Sequence, residues 1–402
     1  MRVRIFPHQA CGSVEAPPSK SMAHRLLIAA GLAEGESVIH HVAPSEDVLA
    51  TIDCLNALGA ECHYENNSVT VRGISGKIKA DNSILPCREC GSTLRFFIPI
   101  ALLSEKKTTL CGSERLFQRP LSVYETICRE QNLLFSQEQT SVSLQGKLKS
   151  CHYTVAGDIS SQFISGLLFA LPLLENESKI TLIEPIESRS YINLTIKALS
   201  DFGVVVNWQN QNTLIIPGHQ SYQPREITVE GDYSNAAFFA AFTCIGTQVT
   251  LTGLDDRSLQ GDRIYVDYFE KLKKGTPTLS LADCPDLGPI LFVVAGVLNG
   301  AVFTNTARLR IKESDRGAAM AEELAKFGIR CEVLENEIIV HPAKPTRPEE
   351  PLLGHNDHRI VMALSVLLTL CGGEIEGAEA VAKSMPDFFE KLAHLGIPMQ
   401  IT

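Results

Sequence analysis

Ser19-Lys-Ser-Met-Ala-His-Arg25 follows Pro17-Pro18 and runs straight into Leu26-Leu-Ile-Ala-Ala-Gly-Leu-Ala33. Small hydroxylated residues ahead of an apolar run mark a helix start. A helix start presents unpaired N–H groups and the positive end of the macrodipole. Lys20 and Arg25 add two formal cations there. That composition suits an anion. Taken alone, the stretch reads equally well as an ordinary N-cap with two solvated cations. The rest of the chain decides between these readings, because it repeats the arrangement five more times.

The copies begin at Gly91-Ser-Thr93, Ser160-Ser-Gln162, Ser234-Asn235, Pro285-Asp286 and Asp357-His-Arg359, each ahead of a run that is apolar on nearly every side. Their spacing is about 70 residues throughout, except for one step of 52 between Ser234 and Asp286. A helix apolar all round is buried, so six buried helices each present a polar N-terminus. A second signal keeps the same step: amphipathic helices closing at Leu58-Gly59, Gln131-Asn132, Phe202-Gly203, Lys274-Gly275, Phe327-Gly328 and Leu395-Gly396. Gly and Asn are the common helix C-caps. Alternating strand patterns follow, such as Val69-Thr-Val-Arg72 and Glu337-Ile-Ile-Val340.

The expected fold class is therefore α/β (α+β), with two similar domains of three repeated βαβαββ-type units each and buried helices. The short step predicts a lost hairpin in the fourth unit, near 275–285. The polar stretch between Pro217 and Gly231 is the expected join. A first strand over Val3 to Val14 is expected to pair with the last unit, which makes the chain cross between domains twice. The expected domains are 1–16 plus 231–402, and 17–230. A solenoid is the plain alternative for any repeat, but a chain built only for stacking has no need of different polar residues at each helix start.

Composition narrows the function. The chain has 402 residues, 45% hydrophobic and 20% charged, with a net charge of −10. That balance is ordinary for a soluble globular protein and argues against a general nucleic-acid binder. The apolar runs fall short of a bilayer span, and Met-Arg-Val-Arg-Ile-Phe-Pro7 is no export signal. A cytoplasmic protein is expected, with its twelve scattered cysteines reduced. Cys87-Arg-Glu-Cys90 has metal or redox spacing but no second pair at zinc-finger distance, and His355-Asn-Asp-His358 lacks a third ligand. No metal is expected. Without a Walker loop or dinucleotide fingerprint, no nucleotide cofactor is expected either.

The polar residues at the helix starts form a set. The first half supplies Lys20, Ser21, Arg25, Gly91, Ser92, Arg95, Ser160, Ser161 and Gln162, with Arg119 in a loop after a strand. The second half supplies Asp286, Lys312, Glu313, Arg316, His358, Arg359 and Lys383. Cations around two carboxylates, in an acidic chain, predict small and highly anionic substrates held by helix N-termini and by arginine forks. Asp286 and Glu313 are candidate acid or base groups. The bland alternatives stand beside this: a solvated charge run for Lys312-Glu-Ser-Asp-Arg316, and simple caps for Asp286 and Asp357.

The sequence resembles the 5-enolpyruvylshikimate-3-phosphate synthase family along nearly its whole length. The resemblance rests on Pro18-Ser-Lys-Ser-Met-Ala-His-Arg25, Gly91-Ser-Thr-Leu-Arg95, Gln118-Arg-Pro120 and Gly157-Asp-Ile-Ser-Ser-Gln-Phe163. It continues through Gly231-Asp-Tyr-Ser234, Ser258-Leu-Gln-Gly-Asp262, Pro285-Asp286 and Leu309-Arg-Ile-Lys-Glu-Ser-Asp-Arg316, and ends on Asn356-Asp-His-Arg359 and Lys383-Ser-Met-Pro-Asp-Phe388. It implies the enolpyruvyl transferase fold, with two domains closing over a cleft, and transfer of the enolpyruvyl group of phosphoenolpyruvate to the 5-hydroxyl of shikimate 3-phosphate. The chain is expected to work as a monomer without a cofactor.

By the same resemblance, Lys20, Ser21, Arg25, Ser160, Ser161, Gln162, Ser188, Tyr191, Asp286 and Lys312 are expected to bind shikimate 3-phosphate. Lys20, Gly91, Arg119, Gln162, Arg316, Arg359 and Lys383 are expected to bind phosphoenolpyruvate. Asp286 is expected to take or orient the 5-hydroxyl proton, and Glu313 with Lys20 to handle the proton at the methylene. The chain departs from the family pattern at Pro18, at Glu89-Cys90, at Arg308 and in the short fourth unit. Two alternatives remain: an enolpyruvyl transferase acting on UDP-N-acetylglucosamine, and an anion-binding protein without catalysis.

Overall fold

A computed structural model describes residues 1–78 and 82–402. The chain divides into two compact units, Met1–Ser19 with Gly231–Thr402, and Lys20–Glu230. The first unit contains the opening strands β1 (Arg2–Ile5) and β2 (Cys11–Glu15). Pro18 bridges Gly231 and the Asp232 N–H bonds the Pro17 carbonyl, so residues 17–19 stay with this unit.

Lys20–Glu230 is three copies of one motif. The first runs α1 (Lys20–Leu32), β3 (Glu36–His40), α2 (Glu46–Ala57), β4 (Glu61–Glu65), β5 (Ser68–Arg72). The second runs β6 (Ser83–Pro86), α3 (Gly91–Ala101), β7 (Thr108–Cys111), the short α4 (Glu114–Phe117), α5 (Ser122–Glu130), β8 (Leu134–Gln137), β9 (Ser141–Gln145). The third runs β10 (His152–Ala156), α6 (Ser161–Ala170), β11 (Ser178–Ile183), α7 (Arg189–Asp201), β12 (Asn207–Trp208), β13 (Thr213–Ile216). A last strand, β14 (Glu226–Thr228), follows.

Each sheet puts a leading strand parallel to the strand after the buried helix, as β6 beside β7, and closes with an antiparallel hairpin, as β9 beside β7 and β8. A parallel pair needs a crossover, and here the buried helix is that crossover. The first copy has no leading strand of its own. β14 fills the place, with Glu226 beside Val38, so the polar join expected at Pro217–Gly231 contains a strand.

The other unit continues with α8 (Tyr233–Cys244), β15 (Gln248–Thr252) and α9 (Tyr265–Lys274). Next come β16 (Thr278–Ser280), α10 (Gly288–Val297), β17 (Ala301–Thr304), α11 (Arg316–Ala325), β18 (Cys331–Val333), β19 (Glu337–Val340). The chain ends with β20 (Leu352–Leu353), α12 (His358–Cys371), β21 (Gly373–Glu376), α13 (Phe388–His394), β22 (Met399–Ile401). Val3 to Val14 is two strands, which corrects the expectation of one. Pro7 cannot donate to a ladder, and the two pieces join different sheets. β1 lies between β21 and β22 as the inner hairpin strand of the last copy. β2 leads the fourth copy, parallel to β15.

The fourth copy stops there. Its sheet has two strands, where the other five have four among the described residues. Gly59, Asn132, Gly203, Gly328 and Gly396 take the left-handed conformation just past their helices, whereas Gly275 is extended at φ 163°. The turn that sends the chain back into a hairpin is absent, and α9 runs directly into β16.

Each unit has its own apolar core. The helices α1, α3 and α6 are buried nearly all round, and their few less buried residues are Lys20, Ser21, Ser92 and Gln162, all in the first turn. Among the described residues no helix is long and apolar enough to cross a membrane.

Candidate active site

The buried helices carry no acidic residue in their first turns. α2, by contrast, has Glu46 and Asp47 in its own. α8 and α12 are instead capped by the carboxylates Asp232 and Asp357, whereas α3 and α6 have the uncharged caps Cys90 and Ser160, so their positive ends carry no internal carboxylate.

In Lys20–Glu230, Lys20 opens α1 and its Nζ lies 2.8 Å from Asp47. Arg25, one turn on, is 3% exposed. It donates to Thr195 Oγ1 at 2.9 Å, to the Ser21 carbonyl at 2.6 Å and to the Tyr191 carbonyl at 3.1 Å. Its guanidinium faces the Phe96 and Tyr191 rings. Burial lowers its pKa to about 10, so it is a cation at neutral pH. Arg25 therefore ties α1 to the first turns of α7, which Ser188 precedes in left-handed conformation.

Gly91 opens α3 against Arg119: a Cβ there would sit 2.5 Å from Arg119 Nη1. Arg119 follows α4 and is buried. On the same helix Arg95 donates to Gln162 Oε1 at 2.7 Å, while Gln162 Nε2 donates to Ser92 Oγ at 2.9 Å. Gln162 sits in the first turn of α6, whose N-cap is Ser160. Two neighbouring helix N-termini are thus cross-linked by Arg95 and Gln162, with Ser161 buried beside them. Behind Lys20, His24 Nδ1 shares a hydrogen bond with Thr51 Oγ1 at 2.7 Å, and Thr51 with Thr93 at 2.8 Å. Burial, with Lys20 and Arg25 adding to it, holds His24 well below the usual histidine range.

In the other unit three of the expected cations, Lys312, Arg316 and Arg359, converge on Asp286, in a turn ahead of α10. Arg316 Nη1 lies 2.8 Å from its carboxylate, Lys312 Nζ 3.1 Å and Arg359 Nη2 3.2 Å. Arg316, 1% exposed, also bonds Glu313 at 2.7 Å and Asp357 at 2.8 Å. Arg359 donates further to Ser234 Oγ at 2.8 Å. Lys383 donates to the Asn356 carbonyl at 2.7 Å, in the loop before α12. Burial alone would push Asp286 up, but Arg359, Lys312 and Arg316 together outweigh it and hold the group well below the usual carboxylate range. Asp286 is thus an ionised acceptor at neutral pH. Burial lowers Lys312 to about 8, against the pull of Asp286.

Several partners carried no signal in the sequence. Asp47 reads only as a first-turn acid of α2, and nothing in one dimension links it to Lys20. Asp357 reads as a cap and is one, accepting from the Arg359 N–H at 3.0 Å; fully buried, it also anchors Arg316. The two histidines near it part company, His355 to Glu323 and His358 into the buried start of α12. Cys87 and Cys90 also have different partners, Cys87 bonding the Leu85 carbonyl and Cys90 capping α3 beside His24.

The family described as EPSP synthase (3-phosphoshikimate 1-carboxyvinyltransferase) matches residues 7–392. A 3-phosphoshikimate 1-carboxyvinyltransferase of Clostridium perfringens is 39% identical over 416 residues, covering 98% of each chain. One from Clostridium kluyveri is 40% identical over 421 residues, covering 98% of this chain and 97% of its own. Among solved structures, EPSP synthase from Acinetobacter baumannii matches with TM-score 0.80 at 24% identity over 100% of both chains. The enolpyruvyl transferase NikO from Streptomyces tendae matches with TM-score 0.79 at 15% identity, over 100% of this chain and 98% of its own. At these identities the two structures show a shared fold.

Proposed function

The chain belongs to the EPSP synthase (3-phosphoshikimate 1-carboxyvinyltransferase) family, and from that premise we propose that it transfers the enolpyruvyl group of phosphoenolpyruvate to the 5-hydroxyl of shikimate 3-phosphate. Phosphate is released, and the product leads through the shikimate pathway to chorismate and the aromatic amino acids. The observation that carries this reading is the match along the whole chain, at 39% identity over 98% of its length. The chemistry of each unit supports it: uncharged helix starts beside buried arginines in Lys20–Glu230, and buried arginines around an ionised Asp286 in the other.

Shikimate 3-phosphate is bound by Lys20, Ser21, Arg25, Ser160, Ser161, Gln162, Ser188, Tyr191, Asp286 and Lys312. Phosphoenolpyruvate is bound by Lys20, Gly91, Arg119, Gln162, Arg316, Arg359 and Lys383. The 5-hydroxyl oxygen bonds to C2 of phosphoenolpyruvate, and the C2–O bond to phosphate breaks. Asp286 accepts the hydroxyl proton. Glu313 and Lys20 give a proton to the methylene carbon and take one back, so that the double bond is restored. A carboxylate held so low is a weak base, so binding must change its field. The substrate anions do this by drawing Arg359, Lys312 and Arg316 partly away from Asp286, which raises its basicity. The enzyme works as a cytoplasmic monomer.

The test is phosphate release from phosphoenolpyruvate with and without shikimate 3-phosphate, with the product identified by mass. Release that depends on shikimate 3-phosphate, with a carboxyvinyl gain, is expected. Release with UDP-N-acetylglucosamine instead would overturn the substrate. Tight anion binding without turnover would overturn catalysis.

A further inference from the structure

We propose that His24, Asp47 and Cys90 form a zinc site directly behind Lys20. One ligand atom from each of the three lies within 4.8 Å of the others. The imidazole is already oriented: Thr51 engages Nδ1, and Thr93 in turn engages Thr51, so Nε2 is the nitrogen that faces Cys90 Sγ at 3.9 Å. On a tetrahedral zinc, with Zn–S about 2.3 Å and Zn–N about 2.0 Å, that pair stands about 3.5 Å apart. The His24–Cys90 pair therefore needs a closure of only a few tenths of an ångström, and the Asp47 oxygen, within 4.8 Å of both, closes the rest of the way as it turns from Lys20. The Thr51 hydroxyl holds the far ring nitrogen, the position from which metal-bound histidines donate to a carboxylate, carbonyl or water. His24 and Cys90 are 1% and 2% exposed, and Asp47 supplies the more open side.

Zinc replaces the proton between sulfur and nitrogen. The Cys90 S–H bond breaks, the thiolate and the Nε2 lone pair bond the metal, and the proton leaves to solvent. A thiolate with an imidazole and one carboxylate suits Zn²⁺ rather than Mg²⁺ or Ca²⁺. Occupancy sets a dication beside Asp47, where it competes with the Lys20 ammonium for the carboxylate and repels it. Zinc is thus a reversible inhibitor, and this last step rests on the role proposed for Lys20 above.

The test is competition for zinc against a fluorescent chelator, paired with Co²⁺ spectra of the metal-free chain. One site per chain is expected, with a thiolate-to-cobalt charge-transfer band. Cys90→Ser keeps the cap on α3 and His24→Asn keeps a polar side chain; each should weaken zinc at least tenfold and the former should abolish the band. Thr51→Val should weaken zinc about tenfold through the ring it orients. Thermal melts check that the variants fold. Wild-type zinc affinity in both Cys90→Ser and His24→Asn overturns the site, as does a loss caused instead by Glu323→Gln in the separate Glu322, Glu323, His355 group. A cobalt band in a chain whose turnover ignores zinc overturns the inhibition, and absence of turnover in the metal-free chain bears only on the function.

Discussion

Gly91 and Arg119 show how closely a single residue is constrained. The helix start at Gly91 meets the Arg119 guanidinium directly, because no side chain stands between them. Gly91→Ala places a methyl group on Arg119, whose side chain must swing aside. Stability should change by less than about 0.5 kcal/mol, since the clash is with a flexible side-chain end. The KM for phosphoenolpyruvate should rise roughly tenfold or more, the loss of about one charged hydrogen bond. Steady-state kinetics with a thermal melt separate the two effects, and an unchanged KM contradicts the placement of Arg119 at the anion.

Lys312 gives a pH dependence at the same scale. It titrates near 8 folded and near 10.5 as a free side chain. Below pH 8 both folded and unfolded chains keep the proton, and the cost of burying the ammonium is fully carried. From about 8 to 10.5 the unfolded chain binds more protons, so this group makes stability rise with pH. In the role proposed for Lys312, binding runs the other way, because a neutral amine holds an anionic substrate less well. The KM for shikimate 3-phosphate should climb as pH passes about 8. Lys312→Met should show a raised KM without that limb. A wild-type KM flat to about pH 9.5 would contradict Lys312 as a ligand.

At the scale of elements, the register of α3 against α6 decides where Arg95 meets Gln162. Gly166 sets it: a Cβ there would lie 2.3 Å from the Tyr124 hydroxyl and 2.5 Å from the Arg95 carbonyl. Tyr124 also bonds the Arg95 and Phe163 carbonyls at 2.7 and 3.0 Å, tying α5 to both helices. Gly166→Ala overpacks a rigid joint made mostly of backbone, and should destabilise by about 1–3 kcal/mol. It should also lower affinity for both substrates, by spreading the helix starts that carry Ser92 and Gln162. Urea unfolding and substrate titration check this; wild-type values in both would show that the joint can relax. The sequence displays Gly166 only as one small residue in an apolar run, since what it touches comes from distant segments.

For the whole molecule, the repeats are not independent. β14 leads the sheet of the first copy in its unit, β2 leads the fourth copy, and β1 completes the sixth. A linear array tolerates trimming at an end, but here the first fifteen residues include an inner strand, with Val3 and Ile5 buried. Removing residues 1–15 should abolish cooperative unfolding of the unit formed with Gly231–Thr402, because a strand paired on both edges is lost. Circular dichroism melts measure this, and a cooperative transition for both units in the truncated chain would contradict it.

The sequence by itself determined the six copies, the buried helices with polar starts and the short fourth copy, and it marked Lys312, Arg316 and Arg359 as cations that belong with Asp286. These are local properties: hydrophobic period, cap chemistry and spacing are written along the chain. Tertiary structure alone decided the exchange of strands between copies, since backbone hydrogen bonds are blind to sequence distance and β1 reads like any other edge. It also decided the pairing of charges. Lys20 meets Asp47, Arg25 is held by Thr195 and the Tyr191 carbonyl, and Arg316 gathers three carboxylates. A charge takes its partner and its pKa from what the fold places within a few ångströms of it and from how far it is removed from water, and neither is a property of the residues beside it in the chain.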